Sequence, residues 1–438
     1  MIIHLIAALF LASTVFATHS ADLNGDGRVD QADLSYVIAQ WGGSGGVPNA
    51  DLNHNGTVNA ADAGILFSSW GTSTPSSGST YRLTTDLGVP TGTTADVSDR
   101  VASAIRNVAK PATILLEGTY RIDHAANLEN ISDYTLKSAT GVNGGFVRLT
   151  QELRPLSWPQ GVPWFQYLQI RGSSNVTLEN LSITGPLATV AYDQERESAH
   201  GLQIAGASTN VTARNIRITG VHGDFLAVSE HGGAIPRGVL IENMTGDLAG
   251  RQMVAPTGVD GITIRNSRFT RAARSAIDVE PSNQIGAFNI TIEDSYISGY
   301  TNYGLAGGGL AVPHNNLVVR RTTFKGGRGI TKWQNNPNSP TPTHVGFRLE
   351  DVVYDYVSPE YMADVGNGPG AINAQDIHIL RSTMHFRSGG PGNIIGTGEV
   401  RDSTFTADNT TTGIIYCIYG LSASNNVGAE VAPTTNCP

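Results

Sequence analysis

Asn175-Val-Thr-Leu-Glu-Asn-Leu-Ser-Ile-Thr-Gly185 is written again, almost unchanged, as Asn210-Val-Thr-Ala-Arg-Asn-Ile-Arg-Ile-Thr-Gly220. A polar turn opens each copy. Apolar and polar residues then alternate, which is the two-residue period of a strand with one buried face. A polar pair follows, then a second short strand that ends at glycine. The same sentence returns as Gly261-Ile-Thr-Ile-Arg-Asn-Ser-Arg-Phe-Thr270, Asn289-Ile-Thr-Ile-Glu-Asp-Ser-Tyr-Ile-Ser-Gly299 and Asn316-Leu-Val-Val-Arg-Arg-Thr-Thr-Phe-Lys-Gly326. Further copies begin near Gly346, Asp376 and Glu399. Successive starts lie 35 residues apart (Asn175 to Asn210), 28 (Gly261 to Asn289) and 27 (Asn289 to Asn316). Repetition on that scale marks a solenoid. Because every unit is built of strands, the solenoid is an all-β parallel β-helix, each coil advancing by about 4.8 Å. A β-sandwich would not rewrite one sentence at each strand pair.

Upstream of the repeats, Asp96 or Ser98 can cap a helix whose Val101, Ala104, Ile105 and Val108 share a face, and Pro111 stops it. It covers the first coil. Ala112-Thr-Ile-Leu-Leu-Glu-Gly-Thr-Tyr-Arg-Ile122 then reads as strand, glycine turn and strand. Asn-x-Ser/Thr triplets at Asn130, Asn175, Asn180, Asn210, Asn243 and Asn289 match glycosylation acceptors, but asparagine recurs there as a turn residue. From Tyr81 to Ser424 the chain resembles the right-handed parallel β-helix family of pectate lyases and related polysaccharide-degrading enzymes. That family includes lyases, hydrolases, epimerases, phage spikes and proteins without chemistry. The resemblance implies a fold and a polysaccharide-facing wall, not one reaction.

Before the repeats lie two stretches in one register, Asp22-Leu-Asn-Gly-Asp-Gly-Arg-Val-Asp-Gln-Ala-Asp33 and Asp51-Leu-Asn-His-Asn-Gly-Thr-Val-Asn-Ala-Ala-Asp62. A calcium loop takes oxygen ligands at positions one, three, five, nine and twelve, a carbonyl at seven, and glycine at six. Asp22, Asn24, Asp26, Arg28, Asp30 and Asp33 supply the first loop, with Gly27 at the turn. Asp51, Asn53, Asn55, Thr57, Asn59 and Asp62 supply the second, with Gly56 at the turn. The second has fewer carboxylates and should bind more weakly. Each loop feeds a short helix, with Leu34, Val37, Ile38 and Trp41 after the first and Ala63, Leu66, Phe67 and Trp70 after the second. The two apolar faces are expected to pair. This region is similar to the type I dockerin module, a small α-helical, EF-hand-like unit that holds two calcium ions and docks onto cohesin. The resemblance implies a cohesin-like or cell-surface partner. In the family a Ser-Thr pair at loop positions ten and eleven contacts cohesin, whereas here those positions hold Gln31-Ala32 and Ala60-Ala61.

The expected organisation is a signal peptide at 1–20, a dockerin-like module at 21–71, a Ser/Thr/Gly/Pro linker at 72–80 and the β-helix at 81–438. The apolar run Ile2 to Phe16 carries the signal. No later segment is long and apolar enough for a membrane span. A signal and calcium loops point to a secreted or surface protein. A net charge of −9 argues against nucleic acid and anionic membranes as partners. It mildly disfavours a strongly anionic polysaccharide, unless calcium or a local arginine cluster intervenes. The only two cysteines, Cys417 and Cys437, can close a disulfide in an oxidising compartment.

Aligning coils on their apolar positions puts His200, Asp224 and Arg251 in one column, about one coil apart. Asp278 and Glu280 alternate with Ile277 and Val279, so both carboxylates face outward on one strand. For a hydrolase, one of that pair is general acid and the other base, with Arg251 and Gln252 holding the sugar. For a lyase, Arg251 would neutralise a sugar carboxylate while His200, His222, Arg251 or Arg274 takes the proton. Lys332-Trp333, and Trp158 with Trp164, offer stacking platforms. The catalytic candidates are thus Asp278, Glu280, Asp224 and His200. Substrate contacts fall to Arg251, Gln252, His222, Arg274, Lys332 and Trp333. The alternatives stay open: surface carboxylates paired with Arg271 and Arg274, or a carbohydrate-binding or adhesin protein without turnover.

Overall fold

The computed structural model describes residues 21, 23, 29–43, 50–53, 55–68, 70, 78–141, 143–149, 166–280, 285–308, 314–334, 344–356, 370–388, 392–409 and 416–431. The chain divides into two units, Met1–Ser79 and Thr80–Pro438. The signal segment, loop residues Asp22, Asn24, Asp26 and Arg28, Trp158, Trp164 and Cys437 lie outside the described residues. So do the side chains of Lys332 and Trp333.

In the first unit, helices Gln31–Ala39 and Ala60–Ser68 follow the two loops. Asp33 and Asp62 sit in the first turn of each and fold back onto their loops. Asp33 accepts from the N–H of Leu23 and Asp30 at 2.7 and 2.8 Å. Asp62 accepts from the N–H of Asn53 and Asn59 at 3.1 and 2.8 Å. Val37 and Leu66 meet in a small core with Val29 and Val58, all fully buried. The apolar faces pair less broadly than the spacing predicts. Ile38, Trp41, Phe67 and Trp70 remain 63%, 54%, 52% and 42% exposed. Each helix has 9 residues, so one narrow stripe makes the contact. Ile38 is rotated about 100° from Val37, and Trp41 falls beyond the helix end.

The second unit is a right-handed parallel β-helix. Its strands form three stacks, and every ladder among them is parallel. Two of the stacks join in one 23-stranded sheet, and the third is an 11-stranded sheet. In the first stack Leu168, Leu202, Leu226 and Val254 pair in line. In the second, Val211, Val239, Ile262, Ile290, Leu317 and Phe347 do the same. In the third, Phe225 covers the strand position of Gly246, where a Cβ would come within 2.4 Å of the ring. The helix Ser98–Asn107 buries Val101 and Ile105 against the first coil. Cys417 is disulfide-bonded. Among the described residues no helix is long and apolar enough to cross a membrane.

From the strand Ser174–Glu179 onward, the chain bends through one residue with positive φ where each second-stack strand ends. The series is Asn180, Asn215, Asn243, Asn266, Asp294, Arg321, Asp351, Arg381, Asp402 and Asn425, with φ between 48° and 55°. L-residues other than asparagine and aspartate avoid that region. The side chains then link coil to coil. The Asn215 amide donates to Asn180 Oδ1 at 2.9 Å and accepts from Asn243 at 3.2 Å. Arg321 and Arg381 accept the strained backbone and grip Asp294 and Asp351 of the coil before in bidentate pairs. All six asparagines of the triplets named above have positive φ, Asn180 and Asn243 within this series, so their recurrence has a backbone cause.

Asn215→Ala is therefore expected to lower stability by about 1–2 kcal/mol in urea denaturation. Asn215→Gly, which tolerates the bend, should cost less. Equal losses for the two would show that backbone conformation is not what asparagine supplies there.

Candidate active site

The first stack carries the site. With Leu202, Leu226, Val254 and Ile277 in register, the residues two before them are His200, Asp224, Gln252 and Ser275. The column therefore holds Gln252, and Arg251 stands one place earlier, beside Gly223 and Arg274. This corrects the alignment that put Arg251 in line. Met253, Val254 and Ala255 are all buried, so that coil lacks the alternation that would have set its phase. The column is tied by a repeated bond. Asp224 N–H donates to His200 Nδ1 at 3.1 Å, Gln252 N–H to Asp224 Oδ1 at 2.8 Å, and Ser275 N–H to Gln252 Oε1 at 2.7 Å. With Nδ1 accepting, a neutral His200 carries its proton on Nε2. A protonated ring donates from Nδ1 to Asp224 Oδ2, 3.1 Å away, instead.

Arg251 reaches the column with its side chain. Its Nη1 lies 3.0 Å from Asp224 Oδ2, its Nη2 3.0 Å from Glu280 Oε2, and its Nε 3.6 Å from Glu197 Oε2. Burial alone would lower the guanidinium, but Asp224, Glu280, Asp278 and Glu197 together hold it above the usual arginine range. Asp224 is fully buried. Burial pushes its carboxyl up, yet His200, Arg251 and the Gln252 N–H outweigh it and leave it below the usual range.

Asp278 behaves in the opposite way. It shares an outward position of the stack with Gln203, Ala227 and Ala255, while Ile277 and Val279 point into the core. Only 5% of it is exposed, and it accepts a bond from the Gln252 amide. Burial, then the neighbouring Glu280 charge, push its carboxyl up to about 7 against the pull of Arg251. The Glu280 side chain is 44% exposed. One wall thus holds a carboxyl that burial raises, Asp278, and another that its cationic neighbours lower, Asp224.

Beside this rung opens a cleft of about 370 Å³ whose lining includes Gln166, Gln169, Glu197, His200, Gln203, Asp224 and Arg251. Asp278 and Glu280 lie next to it, behind Arg251, and are not part of the lining. Several expectations change here. His222 is 5% exposed, and neither ring nitrogen has a partner. Burial, then Arg196, lowers its pKa, so it is an enclosed neutral imidazole and not a cleft group. Arg274 stacks its guanidinium 5.0 Å from the Tyr192 ring centre. Arg271 pairs with Asp247, whereas the charge of Arg274 acts on Asp278. The backbone of Lys332 pairs with Ala306, the partner of Asp278, two coils along the same position. Glu197, Tyr192, Gln166 and Gln169 carried no spacing signal. Glu197 and Tyr192 come from a long turn, where Tyr192 Oη donates to Glu197 at 2.7 Å.

The second calcium loop presents Asp51, Asn53, Asn55, Asn59 and Asp62, an all-oxygen set that suits a hard cation. Asp51 is 4% exposed and Asp62 fully buried, and buried carboxylates want a countercharge. The donors therefore fit calcium. Among the described residues no three His, Cys, Asp or Glu side chains form a group that could hold a metal ion, and this loop offers asparagines beside its two aspartates.

Asp278 makes a stability test available. The folded protein keeps its proton up to about pH 7, whereas the unfolded chain releases it near 4. Stability contributed by that proton is present at low pH and is lost as pH rises through this window. Asp278→Asn should thus exceed the parent at pH 8, by at most about 4 kcal/mol, and match it at pH 4 in urea denaturation. An unchanged difference at the two pH values would mean that Asp278 is ionised in the fold.

Residues 20–69 match the dockerin type I domain. No curated protein matches the chain. Among solved structures, the chain is similar to the catalytic unit of a thermostable GH87 alpha-1,3-glucanase from Streptomyces thermodiastaticus strain HF3-3, at 14% identity and TM-score 0.51 over 83% of this chain and 72% of that one. It is similar to a family 28 exopolygalacturonase from Yersinia enterocolitica, at 12% identity and TM-score 0.51 over 83% and 80%. It is also similar to the A-module of a mannuronan C-5 epimerase from Azotobacter vinelandii, at 12% identity and TM-score 0.52 over 81% and 100%. At such identities the likeness is one of fold. The chain thus carries a match to the dockerin type I domain at residues 20–69, and its second unit is a right-handed parallel β-helix.

Proposed function

We propose that the β-helix is a secreted glycoside hydrolase acting on a polysaccharide, with Asp278 as general acid and Glu280 as the base that activates water. One observation carries this reading. A carboxyl held neutral up to about pH 7 stands two residues from a carboxylate fixed by Arg251, at the edge of a cleft. The strand Ile277–Val279 ends one residue before Glu280, so the two carboxylates do not share one strand as the alternation predicts; residues two apart in extended chain are separated by about 6.6 Å. That approaches the roughly 6.5–9.5 Å between carboxyls of an inverting pair, which leaves room for water. Asp278 would give its proton to the leaving glycosidic oxygen. Glu280 would take one from the water that attacks the opposite face of the sugar. Asp224 holds Arg251 and His200 in place, and Arg251 aims Glu280. The lyase alternative is weaker, because Arg251 already faces three carboxylates and has little left for a uronate.

A second reading has its own support. Asp278 is 5% exposed and does not line the cleft, which favours a carbohydrate-binding protein without turnover. The similar folds named above include glycan-acting enzymes, which agrees with either reading and decides neither.

Dockerin type I domains generally bind calcium and attach to cohesins. In this chain the proposed ligands are those of the two loops, Asp22 to Asp33 and Asp51 to Asp62. Calcium there would neutralise the inward carboxylates and hold each loop against its helix. The exposed Ile38, Trp41, Phe67 and Trp70 are the proposed face for a cohesin-like or cell-surface partner.

Asp278→Asn and Glu280→Gln should each reduce kcat by about 10²–10⁴-fold on the cleaved glycan. Activity should fall as pH rises through about 7; Glu280→Gln should move that limb to lower pH, because the Glu280 charge helps to raise Asp278, while Asp278→Asn loses it. Full turnover in both variants would sink the assignment. For the first unit, calcium at a hundredfold excess over its dissociation constant should add about 2.7 kcal/mol of stability, reversed by a chelator. A melting transition indifferent to calcium would remove the metal from the module.

A further inference from the structure

The cleft offers little free positive charge. Among the described residues two arginines line it, Arg171 and Arg251. Arg171 is paired with Glu129, and Arg251 with Asp224, Glu280 and Glu197. His200 and His231 act on Asp224 and Glu129. Glu197, Asp224 and Glu230 also line the space, so its carboxylates outnumber its guanidiniums. A sugar carboxylate or sulfate would meet like charge there, which is costly and selects against it.

The floor offers uncharged groups instead. The Gln169 amide donates to Gln203 Oε1, and the Gln203 amide donates to Ser229 Oγ at 3.1 Å. Gln169 Oε1 and both polar atoms of the Gln166 side chain are buried without a partner. Gln166 is fully enclosed and lines the cleft. A buried carboxamide left unpaired is costly to the fold, and a ligand that pairs it recovers that cost. A hydroxyl both donates and accepts, so it can satisfy an orphaned oxygen as well as an orphaned N–H. An ionised carboxylate or sulfate only accepts.

We propose that this cleft takes an uncharged glycan, with Gln166 and Gln169 recognising its hydroxyls, and that uronate and sulfated polysaccharides are rejected. The inference rests on the cleft being the glycan site of the reading above, though not on cleavage. It is tested with the full chain by affinity electrophoresis in gels carrying mixed-linkage glucan, galactomannan, xylan, polygalacturonan, methyl-esterified polygalacturonan, alginate or carrageenan. Cleavage is scored separately by reducing ends. Retention by a neutral glycan, at least about tenfold tighter than by any acidic one, supports the proposal. Neutral retention without cleavage supports it as well, and ends the hydrolase assignment alone. Tighter retention by an acidic glycan overturns the proposal and leaves the Asp278 test standing. No retention by any neutral glycan overturns it too. On the glycan retained, Gln166→Leu should weaken binding roughly tenfold, with no loss in unfolding midpoint because an unpaired buried amide has been removed. Unchanged affinity would strike Gln166 from the recognition set.

Discussion

From Asn180 onward the coils of the β-helix turn at the same point, and the turn needs a backbone conformation that ordinary L-residues resist. Ten residues from Asn180 to Asn425 meet this demand, one at the end of each second-stack strand from Ser174–Glu179 onward. Asparagine does so best because its short amide tolerates positive φ and can bond to the next asparagine above. Once these bends are superposed, the stacks have no freedom of phase. A slip of one residue would send every core side chain to the surface. The outer face repeats the same register in charge. Lys137, Glu179, Arg214, Glu242, Arg265, Glu293, Arg320 and Glu350 are partners in sequence on successive coils, alternating in sign. Exposed pairs of this kind add little stability, but a shifted register would set like charges together.

The site follows from that stacking. Residues Glu197 to Glu280 are far apart in the chain and meet because four consecutive coils place them on one wall. Arg251 is the hub. It compensates Asp224, which is fully enclosed, and fixes Glu280, which is partly exposed. Asp278 sits close enough to feel Glu280 and deep enough to lose its hydration. Two aspartates in one cluster are therefore driven apart, Asp224 downward and Asp278 upward. The difference lies in their neighbours, not in their chemistry.

Much was legible before any coordinates. Period-two alternation, recurrence of Asn-x-Thr at coil spacing, and twin Asp-Asn-Gly loops named a β-helix behind a dockerin-like module. They are local patterns, and local patterns are written in adjacent residues. His200, Asp224, Gln252, Asp278 and Glu280 also came to one region as expected. The phase of Arg251 did not, because three buried residues in a row erase the alternation that sets it. His222 looked available and is enclosed. Ile38 and Trp41 looked like core and are exposed, since a short helix has room for one contact stripe.

The amino-acid order alone therefore determined which strands form, where they turn, and which oxygen-rich loops suit a divalent ion. Those features depend on neighbours within a dozen residues. Only the folded solenoid decided that Glu197 joins Arg251, that Gln166 is left without a partner, and that one aspartate keeps its proton while another loses it. Desolvation and through-space charge depend on groups brought together from distant coils, and no spacing along the chain encodes them.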